Sequence, residues 1–227
     1  MLDLQYPSSI LASHLNFIDP VPPTLTSHPI LYLRSLLSAQ TLTTAEKARF
    51  SHTELLTDDG WGYNLQQSTK PHTIGFSLAD SPAGLLAWIL DKLHDWTDEY
   101  PWTNDEILTW VSLYLFSRAG ADASARIYYE CLHKSMRQPL VEKTMVTRSR
   151  EWNGRVKMGL SYFPKEIVQV RKLWGRAMGP VVFEREHQTG GHFAAWECPE
   201  ALAGDLKEMF KVDGPLGQEW VKMNTKQ

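Results

Sequence analysis

The sequence predicts an α/β fold in which a parallel strand–helix layer is interrupted by a large helical insertion. Three observations predict it. An apolar, proline-bounded segment stands near the start, at Ser8–Ile18. Helical signals then run from about residue 25 to 150. Beyond a polar stretch at 148–154, strand-like and helix-like segments alternate, the pattern of a parallel layer. No internal repeat or low-complexity tract interrupts this order.

Each element has its own signature. Ser8–Ile18 is short and ends at Asp19-Pro20, which favours a buried strand over a helix. Pro20-Val21-Pro22-Pro23-Thr24 breaks the pattern and marks a boundary. Thr43-x-x-Glu46 and Thr103-x-x-Glu106 fit capping boxes, in which the threonine and glutamate satisfy each other's backbone amides. Asp80-Ser81-Pro82 places a capping serine before a first-turn proline. The helix that follows carries Leu85, Leu86, Ile89, Leu93 and Trp96 on one stripe. Another helix bears Ile107, Trp110, Val111, Tyr114 and Leu115, and Ser124–Lys134 holds Tyr128 and Tyr129. Val156–Phe163 then reads as a strand, Val170–Met178 as a helix, Val181–Glu186 as a strand and Pro199–Phe210 as a helix. The domain reading is a core strand in 1–20, a helical lid over 21–150 and an α/β core segment over 151–227.

Composition narrows the function classes. The chain has 227 residues, 43% of them hydrophobic, with nine tryptophans, enough for a substantial core. A net charge of −3 without a Lys or Arg run leaves no electrostatic footprint for nucleic acid. Cys131 and Cys198 have neither CxxC nor Cys/His ligand spacing, which suggests a reduced intracellular protein. Met1-Leu2-Asp3 opens no secretory signal, and no run reaches the roughly 18 apolar residues of a spanning helix. The expectation is a soluble, cytoplasmic chain with no membrane segment. No metal constellation, phosphate-cradling glycine loop or redox-cofactor motif is present, so no cofactor is expected.

Candidate chemistry gathers at two turns. Gly190-Gly191-His192 follows the strand ending at Glu186, and the glycines remove side-chain bulk around an imidazole, the side chain suited to shuttling protons. Glu166, in Phe163-Pro164-Lys165-Glu166, follows the preceding strand. In a parallel sheet the residues just past neighbouring strand ends share one crevice. A carboxylate there fixes the imidazole tautomer and stabilises its protonated form. Taken alone, a turn histidine also serves as a helix cap, and a glutamate there also starts a surface helix.

The whole segment Gly190-Gly191-His192-Phe193-Ala194-Ala195-Trp196-Glu197-x-Pro199-Glu200 resembles the catalytic-histidine segment of microsomal-type epoxide hydrolases and their fungal relatives. Phe163-Pro164-Lys165-Glu166 resembles the segment bearing their acid. Gly62-Tyr63-x₅-Thr69-Lys70-Pro71-x-Thr73-Ile74-Gly75, with Asp80-Ser81-Pro82-Ala83-Gly84-Leu85, is similar to the start of their lid, and Arg126-Ile127-Tyr128-Tyr129-Glu130 to its late part. The matches run in family order over nearly the whole chain.

The resemblance implies an α/β-hydrolase fold and two-step hydration of a small apolar epoxide. An aspartate forms an ester with the epoxide, and water activated by a histidine–acid pair, here His192 and Glu166, hydrolyses it. Two lid tyrosines, Tyr63 and Tyr128 by motif position, hydrogen-bond the epoxide oxygen as it becomes an alkoxide. Tyr129 rivals Tyr128, since one residue turns a helical side chain by about 100°.

The sequence departs from the family at its front. The nucleophile elbow of Gly-x-Asp-x-Gly type precedes the strand matched by Ile10–Ile18 and would lie before Met1, with the His-Gly oxyanion element earlier still. Asp59-Gly60-Trp61-Gly62 imitates the elbow but has no apolar strand before it, so it reads as a lid loop, and neither Asp58 nor Asp59 as nucleophile. The expected fold is therefore an incomplete α/β-hydrolase core with about three strands. Its strand edge and apolar faces would call for a homodimer, a complementing chain or repacking. Two further functions stay open: a truncated hydrolase-like pseudoenzyme that binds a ligand or scaffolds a partner, and an epoxide-opening cyclase using only acid and base groups.

Overall fold

The computed structural model describes residues 5–39, 42–137 and 150–217. Its elements in chain order are β1 (Ala12–Leu15), α1 (Pro29–Ala39), α2 (Thr44–Gly60), α3 (Gly62–Thr69), α4 (Pro71–Asp80), α5 (Pro82–Asp95), α6 (Asn104–Leu115), α7 (Ala123–Arg137), β2 (Lys157–Tyr162), α8 (Lys172–Gly175), β3 (Val181–Glu186), α9 (Ala194–Glu197) and α10 (Pro199–Phe210). Contacts divide the chain into two compact units, Met1–Thr53 with Ser149–Gln227, and Glu54–Arg148.

The first unit is built on a three-stranded parallel sheet in the order β1-β2-β3. The central strand β2 is buried on both faces from Met158 to Tyr162, as a covered parallel strand should be. Met158, Leu160 and Tyr162 pack with Ile18 and Met178. The alternate residues Gly159 and Ser161 turn toward α10, where a Cβ on Gly159 would come within 2.5 Å of Met209 Sδ. α10 spans the expected Pro199–Phe210. It buries Asp205 and Met209, four residues apart on one face.

Two elements are shorter than the pattern suggested. Within Ser8–Ile18 the strand itself is only Ala12–Leu15, after a 3₁₀ turn at Pro7–Ser9, and its residues are half-buried. Among the described residues β1 pairs only with β2, so pairing and burial fix fewer of its residues. Val170–Met178 contracts to the single turn α8, because the chain must leave it at once. A Cβ at Gly175 would meet the Tyr162 hydroxyl at 2.4 Å, and Gly179-Pro180 leads straight into β3. α8 is held instead by long-range bonds: Arg171 donates to the Ser35 carbonyl at 2.8 Å, and Trp174 Nε1 to Ser35 Oγ at 2.7 Å. Those bonds, with Gln169 N–H donating to Thr53 Oγ1 at 2.8 Å, group α1 and the first half of α2 with the sheet.

The second unit is helical. Both expected capping boxes form, one at each unit's α2 or α6 start: Thr43 with Glu46, and Thr103 with Glu106. Ser81 caps α5 by accepting from Gly84 N–H at 3.0 Å. Leu85, Ile89 and Leu93 of the predicted stripe are buried, with Leu78 and Val111. α3 packs on α7, and His133 Nδ1 lies 2.9 Å from the Ser68 carbonyl. Asp59-Gly60-Trp61-Gly62 is not a loop: Asp59 and Gly60 end α2, Gly62 opens α3, and Trp61 alone separates them. Asp58 and Asp59 are exposed on that helix. Among the described residues, no single helix is long and apolar enough to cross a membrane.

Candidate active site

Parallel pairing brings the turns after β2 and β3 to the same end of the sheet, and backbone bonds lock them together. Lys165 N–H donates to the Gly190 carbonyl at 3.1 Å, and Lys165 bridges Gly191 in parallel fashion. Gly190 has φ +105°, and a Cβ there would lie 2.8 Å from Phe163 and 3.0 Å from Cys198 Sγ. Both the backbone conformation and the close approach require glycine. Glu197 Oε1 accepts from Gly191 N–H at 3.1 Å and from Phe193 N–H at 3.2 Å, bracketing His192.

On this frame the two predicted residues meet. His192 Nδ1 lies 2.6 Å from Glu166 Oε1, and Ile167 N–H donates to the same oxygen at 2.7 Å. Glu166 is 4% exposed, and the His192 side chain is 26% exposed. With Nδ1–H donated to a carboxylate, Nε2 is the basic nitrogen of the ring, the arrangement that lets an imidazole take a proton from water. The Phe17 ring stands edge-on to the imidazole, 5.7 Å between centroids. Gln169 holds the acid turn from behind: its Nε2 reaches the carbonyls of Phe163, Pro164 and Glu166 at 2.9, 3.2 and 3.1 Å.

The tyrosines form a second cluster, within the helical unit. Tyr63 lies in the first turn of α3 and Tyr128 on α7; their rings meet edge-on at 5.8 Å, and their hydroxyls are hydrogen-bonded. Trp96 stacks obliquely on Tyr63 at 5.0 Å, and Lys92 Nζ lies 5.3 Å from its ring centre. Burial raises the pKa of both phenols, and the neighbouring Tyr128 pushes Tyr63 further up. Both are therefore neutral hydrogen-bond donors at any physiological pH. Tyr129, one residue on, stacks instead on His133 at 4.2 Å and lines a separate cavity with Lys70, His72 and Arg126.

Sequence reasoning missed a further cluster in the sheet-bearing unit. Asp205, fully buried, accepts from Ser161 Oγ at 2.5 Å, from His187 Nε2 at 2.6 Å and from Arg185 at 2.8 Å. His14 Nε2 lies 3.0 Å from Ser161 Oγ and, since that hydroxyl donates to Asp205, supplies the hydrogen. Burial alone would raise the Asp205 pKa, but the bonds from Ser161 and His187 and the charge of Arg185 bring it below the usual carboxylate range. Burial lowers that of His14, against the attraction of Asp205. The roles of Gln169 and Glu197 were also missed: Gln169 carries no sequence signal, and Glu197, though inside the histidine segment, acts on backbone atoms of its own turn.

No protein-family model matches the chain. It is 31% identical, over 90% of its length, to a Stigmatella aurantiaca protein named "Putative epoxide hydrolase", of which it covers 42%. It is 33% identical over 65% of its length to epoxide hydrolase 1 of Sus scrofa, covering 33% of that protein. Among solved structures, Aspergillus niger epoxide hydrolase superposes with a TM-score of 0.68 at 31% identity, over 90% of this chain and 46% of that one. The juvenile hormone epoxide hydrolase of Bombyx mori superposes with a TM-score of 0.66 at 25% identity, covering 88% and 48%. The chain thus spans less than half the length of these relatives, and the partial match fits a C-terminal portion of them. Its similarity to epoxide hydrolases extends over most of its own length, and it has part of an α/β-hydrolase core with a helical insertion.

Proposed function

We infer that this chain carries the water-activating and epoxide-polarising residues of an epoxide hydrolase acting on a small apolar epoxide. The observation that carries the reading is the 2.6 Å bond between Glu166 and His192 at the ends of two adjacent parallel strands. Tyr63 and Tyr128, kept protonated by burial, donate to the epoxide oxygen as the ring opens on a carboxylate nucleophile. The carbon–oxygen bond breaks toward the tyrosines, and an ester to the carboxylate forms. His192 Nε2 then takes a proton from water, and the resulting hydroxide equivalent attacks the ester carbonyl. The tetrahedral intermediate collapses to the carboxylate and releases the diol. The proton held by His192 passes to the alkoxide formed at ring opening, so both hydrogens of the water end on the product and the imidazole is restored. Glu166 stabilises the transient imidazolium throughout. The carboxylate nucleophile is assigned to no residue of this chain.

The test is a single turnover of cyclohexene oxide in heavy-oxygen water. Diol carrying ordinary oxygen from protein, lost in His192→Ala, supports the reading. Heavy oxygen entering in the first turnover overturns the ester route. A second reading, binding without turnover, is favoured by the helical placement of Asp58 and Asp59, which puts no carboxylate on a strand–helix elbow there. It predicts saturable epoxide binding with no diol from the 227-residue chain.

A further inference from the structure

Glu166 is the only site carboxylate with an unfinished hydrogen-bond shell among the described residues. Its Oε1 takes two donors, from Ile167 N–H and His192, whereas its Oε2 is buried without any partner. A buried anionic oxygen with no donor is costly, so native proteins supply one, commonly as an ordered water. Glu166 also lines a small cavity of about 10 Å³, the space of one water. The cavity's other polar side chains are Asn16, Tyr162 and Gln169. The Tyr162 hydroxyl is committed to the Lys172 carbonyl and Glu184, and Gln169 Nε2 to the three turn carbonyls. Asn16, directly after β1, presents a carboxamide that both donates and accepts. Ile18, Phe163 and Val170 supply apolar wall.

We propose that one buried water, held by the Asn16 carboxamide, donates to Glu166 Oε2, which makes Asn16 a positioning residue of the Glu166–His192 pair. Its role rests on the functional reading above; its geometry does not. The water ties the end of β1 to the acid turn after β2, as Lys165 ties that turn to the histidine turn after β3. It also shares the negative charge across both oxygens and keeps the carboxyl plane from rotating away from His192.

A crystal structure of the full chain tests this directly: one ordered water should lie about 3 Å from both Oε2 and the Asn16 carboxamide. An Oε2 paired to a protein group, or a dry cavity, overturns the proposal. In solution, the low-field proton resonance of His192 Nδ1–H gives a second readout. Asn16→Leu, which fills the cavity and removes the carboxamide, concentrates charge on Oε1 and moves the resonance to lower field. Asn16→Ser, which keeps a hydroxyl partner for the water, holds it near the unmodified position. A resonance unmoved by Asn16→Leu also overturns the proposal, and the crystallographic water decides the matter if that variant does not fold. Glu166→Gln distinguishes the underlying reading: it should abolish the low-field resonance, and its failure to do so would refute the Glu166–His192 pairing independently of Asn16.

Discussion

Two buried carboxylates of the sheet-bearing unit each face a histidine, and their surroundings differ in one respect. Asp205 is saturated: Ser161, His187 and Arg185 occupy its oxygens, and the bonds join β2, β3's trailing end and α10. Glu166 has donors on one oxygen alone, and the histidine it holds reaches the surface. The lesson is that a buried carboxylate–histidine bond is not itself a sign of chemistry. Where both oxygens have donors and the carboxylate spans several elements, the bond clips a fold together. Where the carboxylate is held by its own turn and the ring is partly exposed, as at Glu166 and His192, we propose that the bond prepares a base.

The contrast can be broken from either side, and the largest effect is expected on the Glu166 side. His192→Ala should lower diol formation by about 10²-fold or more, the usual contribution of a general base, with the unfolding midpoint almost unchanged. Tyr128→Phe should cost about 10²-fold through one lost donor to the developing alkoxide. Tyr129→Phe should leave the rate unaltered, since that ring faces His133 and another cavity. Equal losses from the two would reverse the assignment of the tyrosines.

On the Asp205 side the effects are on stability. Gly190→Ala bridges both, because it forces a side chain into φ +105° against Phe163 and Cys198. It should cost about 1–3 kcal/mol and also loosen the Lys165–Gly190 bond, so activity falls with it. The smallest effect is on the pH dependence of folding. His14 has a folded pKa below its ordinary 6.5, so as pH drops below 6.5 the unfolded chain binds the proton first. Its stabilising contribution is complete above 6.5 and declines below it. Asp205, depressed in the folded state, contributes fully above 3.8 and loses that contribution as pH falls through its folded pKa. His14→Gln should flatten only the upper limb of the acid unfolding curve; an unchanged curve would show that His14 does not titrate with folding.

The same contrast explains what was legible in the sequence. Glu166 and His192 sit in turns whose glycines and prolines mark strand ends, and parallel pairing follows from strand–helix alternation, so their meeting could be argued from spacing alone. The helices between β1 and β2 announced themselves through Thr43, Ser81 and Thr103, because a cap is a local device. The His14–Ser161–Asp205–His187 network was illegible. It draws one residue from each of four distant segments, and none of these residues stands in a motif of its own. The overlong helix at 170–178 and strand at 8–18 failed for a related reason. Their ends are set by tertiary contacts, Gly175 against Tyr162 and β1 pairing on one side only, which periodicity does not register.

The central claim is that Glu166 serves chemistry and Asp205 serves the fold, and urea unfolding of two isosteric variants measures it. Asp205→Asn leaves buried donors facing an amide, and should lower the unfolding free energy by about 3 kcal/mol. Glu166→Gln keeps an oxygen for Ile167 and His192 and removes a buried charge, so it should change stability by less than about 1 kcal/mol. Equal losses in the two variants, or a larger loss in Glu166→Gln, would contradict the account.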